Sequence, residues 1–224
     1  NDLEEYAETV ARCYLTNRSS INLNDLWDYY DRILAQVEDL PVRDGFIRRL
    51  YAPEREDAIQ PGERVLYTVE NAMRIDSLRH LIDSVPTNLQ CYLLAPLLHE
   101  ASVHANTSGV FKGFYKNGKG VGQFGGSGRN ALNRIMAPIE LQFPIFSNFE
   151  CDVEVYQQDA NALVRQEGPF DLAYFDPPYN QHPYGSNYFM LNLIVRNEEP
   201  ALISKVSGIA QGWKRSSYNK SAAA

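Results

Sequence analysis

The most constraining feature of the sequence is Asp176-Pro177-Pro178-Tyr179, which follows the apolar run FDLAYF at residues 170–175. Such a run is typical of a buried strand, and two prolines, which lack an N–H and have a fixed φ, end it in a stiff turn. Ligands of open α/β sheets bind at the carboxyl ends of strands. A carboxylate, a backbone carbonyl and an aromatic ring there predict a site for an amino group, although the turn could simply end a strand.

The surrounding sequence predicts an α/β unit preceded by helices. Residues 152–156 alternate in polarity as a strand does, and residues 186–195 have the apolar spacing of a helix. Two strands that end in polar turns indicate an open α/β sheet with parallel strands. Apolar spacing, Asp2 as a cap and the prolines predict further helices. These cover about residues 2–14, 24–40, 65–85, 88–104 and 130–136.

Two stretches of the chain are basic although the net charge is −7. Residues 101–139 and 201–224 contain no Asp or Glu. Binding to phosphate depends on the local field rather than on the summed charge. The sequence therefore offers candidate DNA contacts, with solvated loops as the alternative. The candidates are Lys112, Lys116, Lys119, Arg129, Lys214 and Arg215.

Cysteine usage and hydropathy exclude several other classes of protein. The three cysteines, Cys13, Cys91 and Cys151, are scattered and form no Cys-x-x-Cys pair, so we expect neither a zinc site nor a disulfide framework. No apolar run approaches the roughly 20 residues of a membrane span. These features predict a cytoplasmic protein without a metal ion. His182 has no evident partner in the sequence, and we expect it to pack within its loop.

The Asp-Pro-Pro-Tyr sequence resembles the fourth motif of the amino-group DNA methyltransferases, in which a first-position aspartate is typical of adenine-N6 enzymes. Segments along nearly the whole chain resemble the D12, or alpha, class and its branch of FokI-type modification methylases. The segments are NDLEEYAETVARCYLTN, ENAMRIDSLRHLID, HANTSGVFKGFYKN, QQDANAL, DPPYNQHPYGSNYFMLNLI and SGIAQGWKRSSYNK.

This resemblance implies a fold and a division of the chain. We expect part of a Rossmann-like class I methyltransferase sheet, interrupted by a mainly helical target-recognition insertion. Residues 1–24 and 146–224 would be the two pieces of the catalytic α/β domain, and residues 25–145 would be the insertion. The basic stretch that contains Lys112 would then belong to the part that reads DNA.

The resemblance also implies roles for individual residues. Asp176 and the carbonyl of Pro177 would accept the two hydrogens of an adenine N6 amino group, and Tyr179 would stack on the flipped base. Asp2 would hold the ribose hydroxyls of S-adenosyl-L-methionine. Asp159 would lie near the cofactor's adenine, with Phe175 alongside.

The implied function is S-adenosyl-L-methionine-dependent methylation of adenine N6 at a specific duplex DNA site in a prokaryotic restriction-modification system, near the nucleoid. Two alternatives stay open: an RNA adenine-N6 methyltransferase, and a non-catalytic or degenerate DNA-binding fragment. The family's short glycine-rich cofactor motif is not found in this sequence. We therefore expect a fragment of a larger enzyme that binds the cofactor weakly or not at all.

Overall fold

The computed structural model describes residues 1–39, 44–166, 168–178 and 180–219, and most of its regular structure is helical. The predicted helices are confirmed, with somewhat different ends, except that the one at residues 186–195 is split at Tyr188 into two. The α-helices are α1 (Glu5–Leu15), α2 (Leu23–Val37), α3 (Phe46–Tyr51), α4 (Val69–Asp83), α5 (Thr87–Val103), α6 (Leu132–Met136), α7 (Ala160–Leu163), α8 (Tyr184–Asn187) and α9 (Phe189–Arg196). Short 3-10 turns lie at Arg18–Ser20 and Ser217–Asn219.

Side-chain caps fix the starts of several helices. Thr68 Oγ1 accepts a hydrogen bond of 3.0 Å from the N–H of Asn71 at the start of α4. Such a bond satisfies one of the free N–H groups of the first turn. Asp2 does not cap α1, contrary to the sequence prediction. Its Oδ1 instead accepts from the N–H of Glu4 at 2.8 Å, just before the helix.

Helix α5 lies at the centre of the hydrophobic core and packs against α1, α4 and α9. Its leucines are buried on several sides, among them Leu93, Leu97 and Leu98. A helix that is apolar all round is stable only when other elements surround it. The same core includes Cys13 before it and Met190 after it in the chain, so all three predicted pieces contribute to it. The division of the chain at residues 24 and 145 stays a prediction.

Two buried polar side chains of α4 cap the ends of neighbouring helices. Asp76 accepts hydrogen bonds from the N–H groups of Ile47 (3.1 Å) and Arg48 (2.9 Å) and so caps α3 from another element. Arg79 donates to the carbonyls of Ile194 (2.7 Å) and Val195 (3.0 Å) at the end of α9. Free N–H groups at helix starts and free carbonyls at helix ends need such partners when they are buried.

The predicted α/β sheet is wrong. Among the residues that the structure describes, β-pairing is limited to two isolated bridges, Lys116 with Gly122 and Ile203 with Ala210. Residues 151–157 and 172–178 are without regular structure and belong to no strand. A strand needs a neighbour for its N–H and C=O groups, and the sequence pattern shows apolar spacing but not whether a neighbour exists.

The side chains of the run at residues 170–175 confirm that it is not a buried strand. Phe170 is 65% exposed, Leu172 88% and Tyr174 87%. A Rossmann-like class I methyltransferase sheet would bury these side chains on both faces. The apolar run that predicted a core strand therefore lies on the surface of this structure.

The basic loop, which we define as residues 106–131, is ordered around one buried side chain. The Asn106 side chain donates to the carbonyl of Val65 at 2.8 Å and accepts from the N–H of Gly125 at 2.9 Å. Its own N–H donates to the carbonyl of Leu66 at 2.8 Å. These bonds hold both ends of the loop against the segment that precedes α4.

None of the helices in the described ranges has the length and apolar character that crossing a bilayer requires.

Candidate functional site

A pocket of about 740 Å³ lies beside the segment that ends in Asp176. Its volume is within the range of roughly 300–1,000 Å³ that is usual for small-molecule sites. Residues from both ends of the chain form its wall: they fall within residues 1–4, 158–164, 170–178 and 214–219, together with Tyr184. The pocket brings together the predicted site residues Asp2, Asp159, Phe175, Asp176 and Pro177.

Asp176 and Pro177 are exposed at the pocket and follow the apolar run without a bend. Pro178 is partly buried and also lines the pocket. Since Pro177 and Pro178 have no N–H, the backbone at this position presents acceptors only. Tyr179, the predicted stacking residue, lies outside the described residues.

The carboxylates of Asp2 and Asp159 are each fixed through one oxygen. Asp2 Oδ1 accepts from the N–H of Glu4. Asp159 Oδ1 accepts from the N–H groups of Asn161 (2.9 Å) and Ala162 (3.3 Å), and so caps α7. Among the described residues, the second oxygen of each carboxylate accepts no hydrogen bond. Both side chains are therefore positioned and retain an acceptor for a ligand.

Glu4 is a carboxyl group of the pocket wall that the sequence analysis missed. It is only 4% exposed, and its Oε2 accepts from Asn192 Nδ2 at 2.6 Å. Burial is the main reason that the pKa of Glu4 is raised, and the hydrogen bond from Asn192 acts in the opposite direction. The bond joins the residues before α1 to α9, directly behind the pocket.

The tail of the chain forms another part of the wall that sequence reasoning missed. Ser216, Tyr218 and Asn219 line the pocket. Asn219 is buried, and its Nδ2 donates to the carbonyl of Asn180 at 3.0 Å, just after the Asp-Pro-Pro segment. The sequence of the tail indicated only that it is positively charged. Its contact with the Asp-Pro-Pro segment could not be predicted, because a contact between segments distant in the sequence leaves no local sequence pattern.

The two predicted DNA contacts of the tail are held by the protein itself. Lys214 lines the pocket, and its Nζ donates to the carbonyl of Leu3 at 3.1 Å and lies 3.7 Å from Glu5 Oε1. Arg215 Nη2 donates to the carbonyl of Asn219 at 3.4 Å. Their roles in DNA binding stay predictions.

The predicted DNA contacts of the basic loop do not line the pocket. Lys112 and Lys116 flank Phe114 in the sequence, and the ammonium of Lys116 lies 5.0 Å from the centre of the Phe114 ring. Lys119 and Arg129 are exposed. The structure thus separates the predicted site residues into a pocket group and a loop group.

The side chain of His182 contacts Lys112, a residue of the basic loop. Lys112 Nζ lies 3.3 Å from His182 Nδ1. The backbone N–H of His182 donates to Asn180 Oδ1 at 2.8 Å, which fixes the turn after the Asp-Pro-Pro segment. The expectation of simple loop packing for His182 is therefore incomplete.

The described part of the chain holds no group of three or more His, Cys, Asp or Glu side chains that could bind a metal ion.

Comparisons with known proteins agree on one family. The family model for the D12 class N6 adenine-specific DNA methyltransferases matches residues 1–220. The type II methyltransferase M.NlaIII of Neisseria lactamica is 32% identical over 200 residues, covering 87% of this chain and 52% of that protein. M.CviAII of Paramecium bursaria Chlorella virus 1 is 31% identical over 227 residues, covering 97% of this chain and 59% of that protein.

The chain is also similar to the type II methyltransferase M.FokI of Planomicrobium okeanokoites. It is 30% identical over 149 residues, which are 64% of this chain and 21% of that protein. The chain thus spans between half and three fifths of M.NlaIII and M.CviAII. No solved structure matches the chain.

Proposed function

Because this chain belongs to the family of D12 class N6 adenine-specific DNA methyltransferases, we propose that its pocket binds S-adenosyl-L-methionine beside a flipped adenine and transfers a methyl group to adenine N6. The observation that carries the proposal is that Asp176 and Pro177 line the same pocket as Asp2 and Asp159. The substrate is duplex DNA. The type II methyltransferases and modification methylases among the relatives favour a restriction-modification setting.

The hydrogen-bond acceptors and the apolar wall of the pocket fit the cofactor. Asp2 and Asp159 each keep one carboxylate oxygen for a hydroxyl or amino group, and the apolar wall includes Leu163, Val164 and Phe170. A nucleoside presents hydroxyl donors on its sugar, which match the free carboxylate oxygens, and a flat face on its base, which matches the apolar side chains. When bound, S-adenosyl-L-methionine supplies an activated methyl group on a positively charged sulfur.

The residues of the Asp-Pro-Pro segment act on the amino group of the target base. The N6 lone pair is delocalised into the adenine ring, so the nitrogen is a weak nucleophile. Asp176 and the Pro177 carbonyl would accept hydrogen bonds from its two N–H groups and stabilise the positive charge that develops on the nitrogen. The nitrogen–methyl bond would form as the methyl–sulfur bond breaks, and one N6 proton would then leave to solvent. The prolines keep both acceptors in place, and this positioning lowers the barrier further. No covalent bond to the protein is needed.

The proposed DNA-binding surface is the basic loop together with the pocket mouth. Residues 106–131 carry no carboxylate side chain, and their three lysines and Arg129 supply the positive field that a phosphate backbone requires. Base flipping then brings the target adenine from the duplex into the pocket. An adenine outside a duplex needs no flipping, and the same site could accept one in RNA.

Transfer of labelled methyl groups from S-adenosyl-L-methionine to bacteriophage DNA tests the function. We expect Asp176→Ala to lower kcat by at least about a hundredfold, because it removes one of two transition-state acceptors. Asp171→Ala is the matched control, since it removes an exposed carboxylate of the same segment that does not line the pocket. Near wild-type transfer by Asp176→Ala contradicts the proposed mechanism. Transfer to RNA but not to DNA favours the RNA enzyme.

Calorimetric titration with S-adenosyl-L-methionine tests the cofactor half of the pocket. Micromolar binding that is lost in Asp2→Ala supports the proposed site and overturns the sequence-based expectation of weak binding. Micromolar binding that Asp2→Ala leaves unchanged places the cofactor elsewhere. DNA binding without cofactor binding or transfer favours the non-catalytic DNA-binding alternative.

A further inference from the structure

We propose that Asn192 is a positioning residue for the cofactor, and that it acts through Glu4 on the carboxylate of Asp2. This inference rests on the proposed function, since it assigns a role to a residue behind the proposed cofactor site. Asn192 belongs to α9 and does not line the pocket, whereas Glu4 and Asp2 do. Because Asn192 is only 6% exposed, it can influence a ligand only through its neighbours.

The side-chain amide of Asn192 holds the start of α1 by two hydrogen bonds. Its Nδ2 donates to Glu4 Oε2 at 2.6 Å, and its Oδ1 accepts from the N–H of Tyr6 at 3.1 Å. The N–H of Tyr6 is one of the free donors in the first turn of α1, and Glu4, at the N-cap position, provides no side-chain acceptor. Asn192 thus caps α1 from another helix, as Asp76 caps α3.

A further hydrogen bond connects Glu4 to Asp2. The N–H of Glu4 donates to Asp2 Oδ1 at 2.8 Å, and this bond orients the Asp2 carboxylate. The Glu4 side chain is anchored between two helices, since it is bonded to Asn192 of α9 and a Cβ on Gly185 of α8 would lie 3.0 Å from its Oε1. A fixed Glu4 side chain fixes the backbone N–H that holds Asp2.

Burial makes this anchor important. Glu4 is 4% exposed. A buried carboxylate that loses a hydrogen-bond donor is destabilised unless it moves toward water or binds a proton. Movement of the Glu4 side chain would shift the N–H that orients Asp2, so the loss of Asn192 should be felt at the carboxylate that binds the cofactor.

A double-mutant cycle on cofactor affinity tests the inference in the 224-residue chain. Equilibrium dialysis with labelled S-adenosyl-L-methionine gives the affinity of each variant. We expect Asn192→Ala to weaken binding about tenfold, equivalent to losing one hydrogen bond to a charged group. In a chain that already carries Asp2→Ala, the same substitution should change the affinity little, because it acts through Asp2. In methyl transfer, Asn192→Ala should raise KM for the cofactor and leave kcat nearly unchanged.

Asn71→Ala is the matched control for a general loss of stability. Asn71 is 1% exposed and does not line the pocket. Its amide also joins two elements, since it donates to the carbonyl of Ala137 and accepts from the N–H of Ile139, both at 2.9 Å. Asn71→Ala should lower the thermal midpoint as Asn192→Ala does, but should leave cofactor affinity unchanged. Equal losses of affinity in the two variants would overturn the inference.

Conservative variants at Glu4 separate anchoring from a direct contact with the cofactor. Glu4→Gln keeps an oxygen that can accept from Asn192, so it should retain most of the affinity. Glu4→Ala should weaken binding as much as Asn192→Ala does. A loss of affinity in Glu4→Gln as large as that in Glu4→Ala would show that the charge itself binds the cofactor, and it would overturn the positioning role.

Asn192→Asp provides a readout by pH in a side chain of the same shape. It places a second carboxylate 2.6 Å from Glu4, and the two groups repel each other unless they share a proton. Cofactor affinity, relative to the unaltered chain, should therefore be low at pH 9 and rise toward pH 6. The other charged groups that act on Glu4 are the same in both proteins: Asp2, Glu5 and Lys214. A relative affinity that does not change with pH would contradict the inference.

The outcomes distinguish this inference from the proposed function. Equal effects of Asn192→Ala with and without Asp2→Ala, or no cofactor binding by the unaltered chain, overturn the inference. Coupled effects in a chain that binds the cofactor but transfers no methyl group leave the inference standing and overturn the proposed function. Methyl transfer by a chain in which the two substitutions act independently does the reverse.

Discussion

In the helical body, which comprises α1 to α5 and α9, side chains such as Leu93 and Leu97 are completely buried. In the pocket half, the described residues of 151–178 and 200–219, Leu172 and Tyr174 are almost fully exposed. The same kinds of side chain thus form the core in one region and the surface in the other. Because burial of apolar area is the main source of stability, the helical body supplies most of the folding free energy.

Of the described residues in the pocket half, only Ala210 is a buried member of the core, and polar contacts also fasten this half to the helical body. The side-chain amide of Asn17 donates to the carbonyl of Cys151 at 2.9 Å and accepts from its N–H at 3.0 Å. Asn1 makes the same pair of bonds to Gln158, at 3.0 and 3.1 Å. Exposed hydrogen bonds each contribute little to stability. Stability and the proposed chemistry therefore reside in different regions of the molecule and respond to different substitutions.

Truncating one leucine in each region should give the largest contrast. Leu97→Ala should lower the free energy of unfolding by about 3 kcal/mol, because it leaves a cavity in a fully buried site. Leu172→Ala should change it by less than about 0.5 kcal/mol, since that side chain is 88% exposed. Urea unfolding followed by circular dichroism measures both values. Equal losses would show that the two regions are stabilised alike.

The pH dependence of stability should come partly from Asp76 in the helical body. Burial raises its pKa to about 6, against the hydrogen bonds from Arg48 and Ile47 and the charge of Arg49, which lower it. Between about pH 4 and 6 the folded protein holds a proton that the unfolded chain has released. Stability therefore falls as pH rises through this window, by on the order of 2 kcal/mol.

Asp76→Asn isolates this effect, since an amide does not titrate. The unfolding free energy of the variant, measured by urea titration from pH 4 to 7, should lack the fall that Asp76 causes. Glu4, whose pKa is also raised, contributes equally to both proteins. A parallel pH dependence in the two proteins would contradict this assignment.

Substitution of Gly45 should lower stability by nearly as much, because this residue lies directly against the side chain of Asp76. A Cβ at this position would lie 2.0 Å from Asp76 Cγ, so a methyl group displaces the cap of α3. We expect Gly45→Ala to cost about 2 kcal/mol of unfolding free energy. Gly118→Ala, with no atom within 4 Å of its added Cβ, is the control and should lower the thermal midpoint by little. Similar midpoints for both variants would exclude the proposed clash.

The smallest expected change in stability comes from removing the hydrogen bonds between Asn17 and Cys151, which attach the pocket half to the helical body. Asn17→Ala should lower global stability by only about 0.5 to 1 kcal/mol. It should nevertheless speed amide hydrogen exchange at Cys151, because the N–H loses its acceptor. Asn24→Ala, on the exposed surface of α2, is the control. Unchanged exchange at Cys151 would show that other contacts hold this segment.

Local sequence patterns predict the helices of the helical body. Apolar spacing located α1 and α2, because an amphipathic helix needs only near neighbours and one apolar face, and Pro86 marked the boundary between α4 and α5. It also located the Asp-Pro-Pro segment, since the conformation of proline is intrinsic. The family followed from several short segments taken together, and the family model confirmed it.

Packing between elements determines which residues that are distant in the sequence come into contact. The gathering of Asp2, Asp159 and Asp176 in one pocket and the contact of Lys112 with His182 depend on how elements pack. The prediction of a sheet was wrong because it, too, depended on contacts between distant segments. Apolar alternation is a property of one segment, whereas a sheet requires pairing between segments, and the described residues pair in only two isolated bridges. Local patterns encode conformation, but contacts between remote segments are fixed by packing alone.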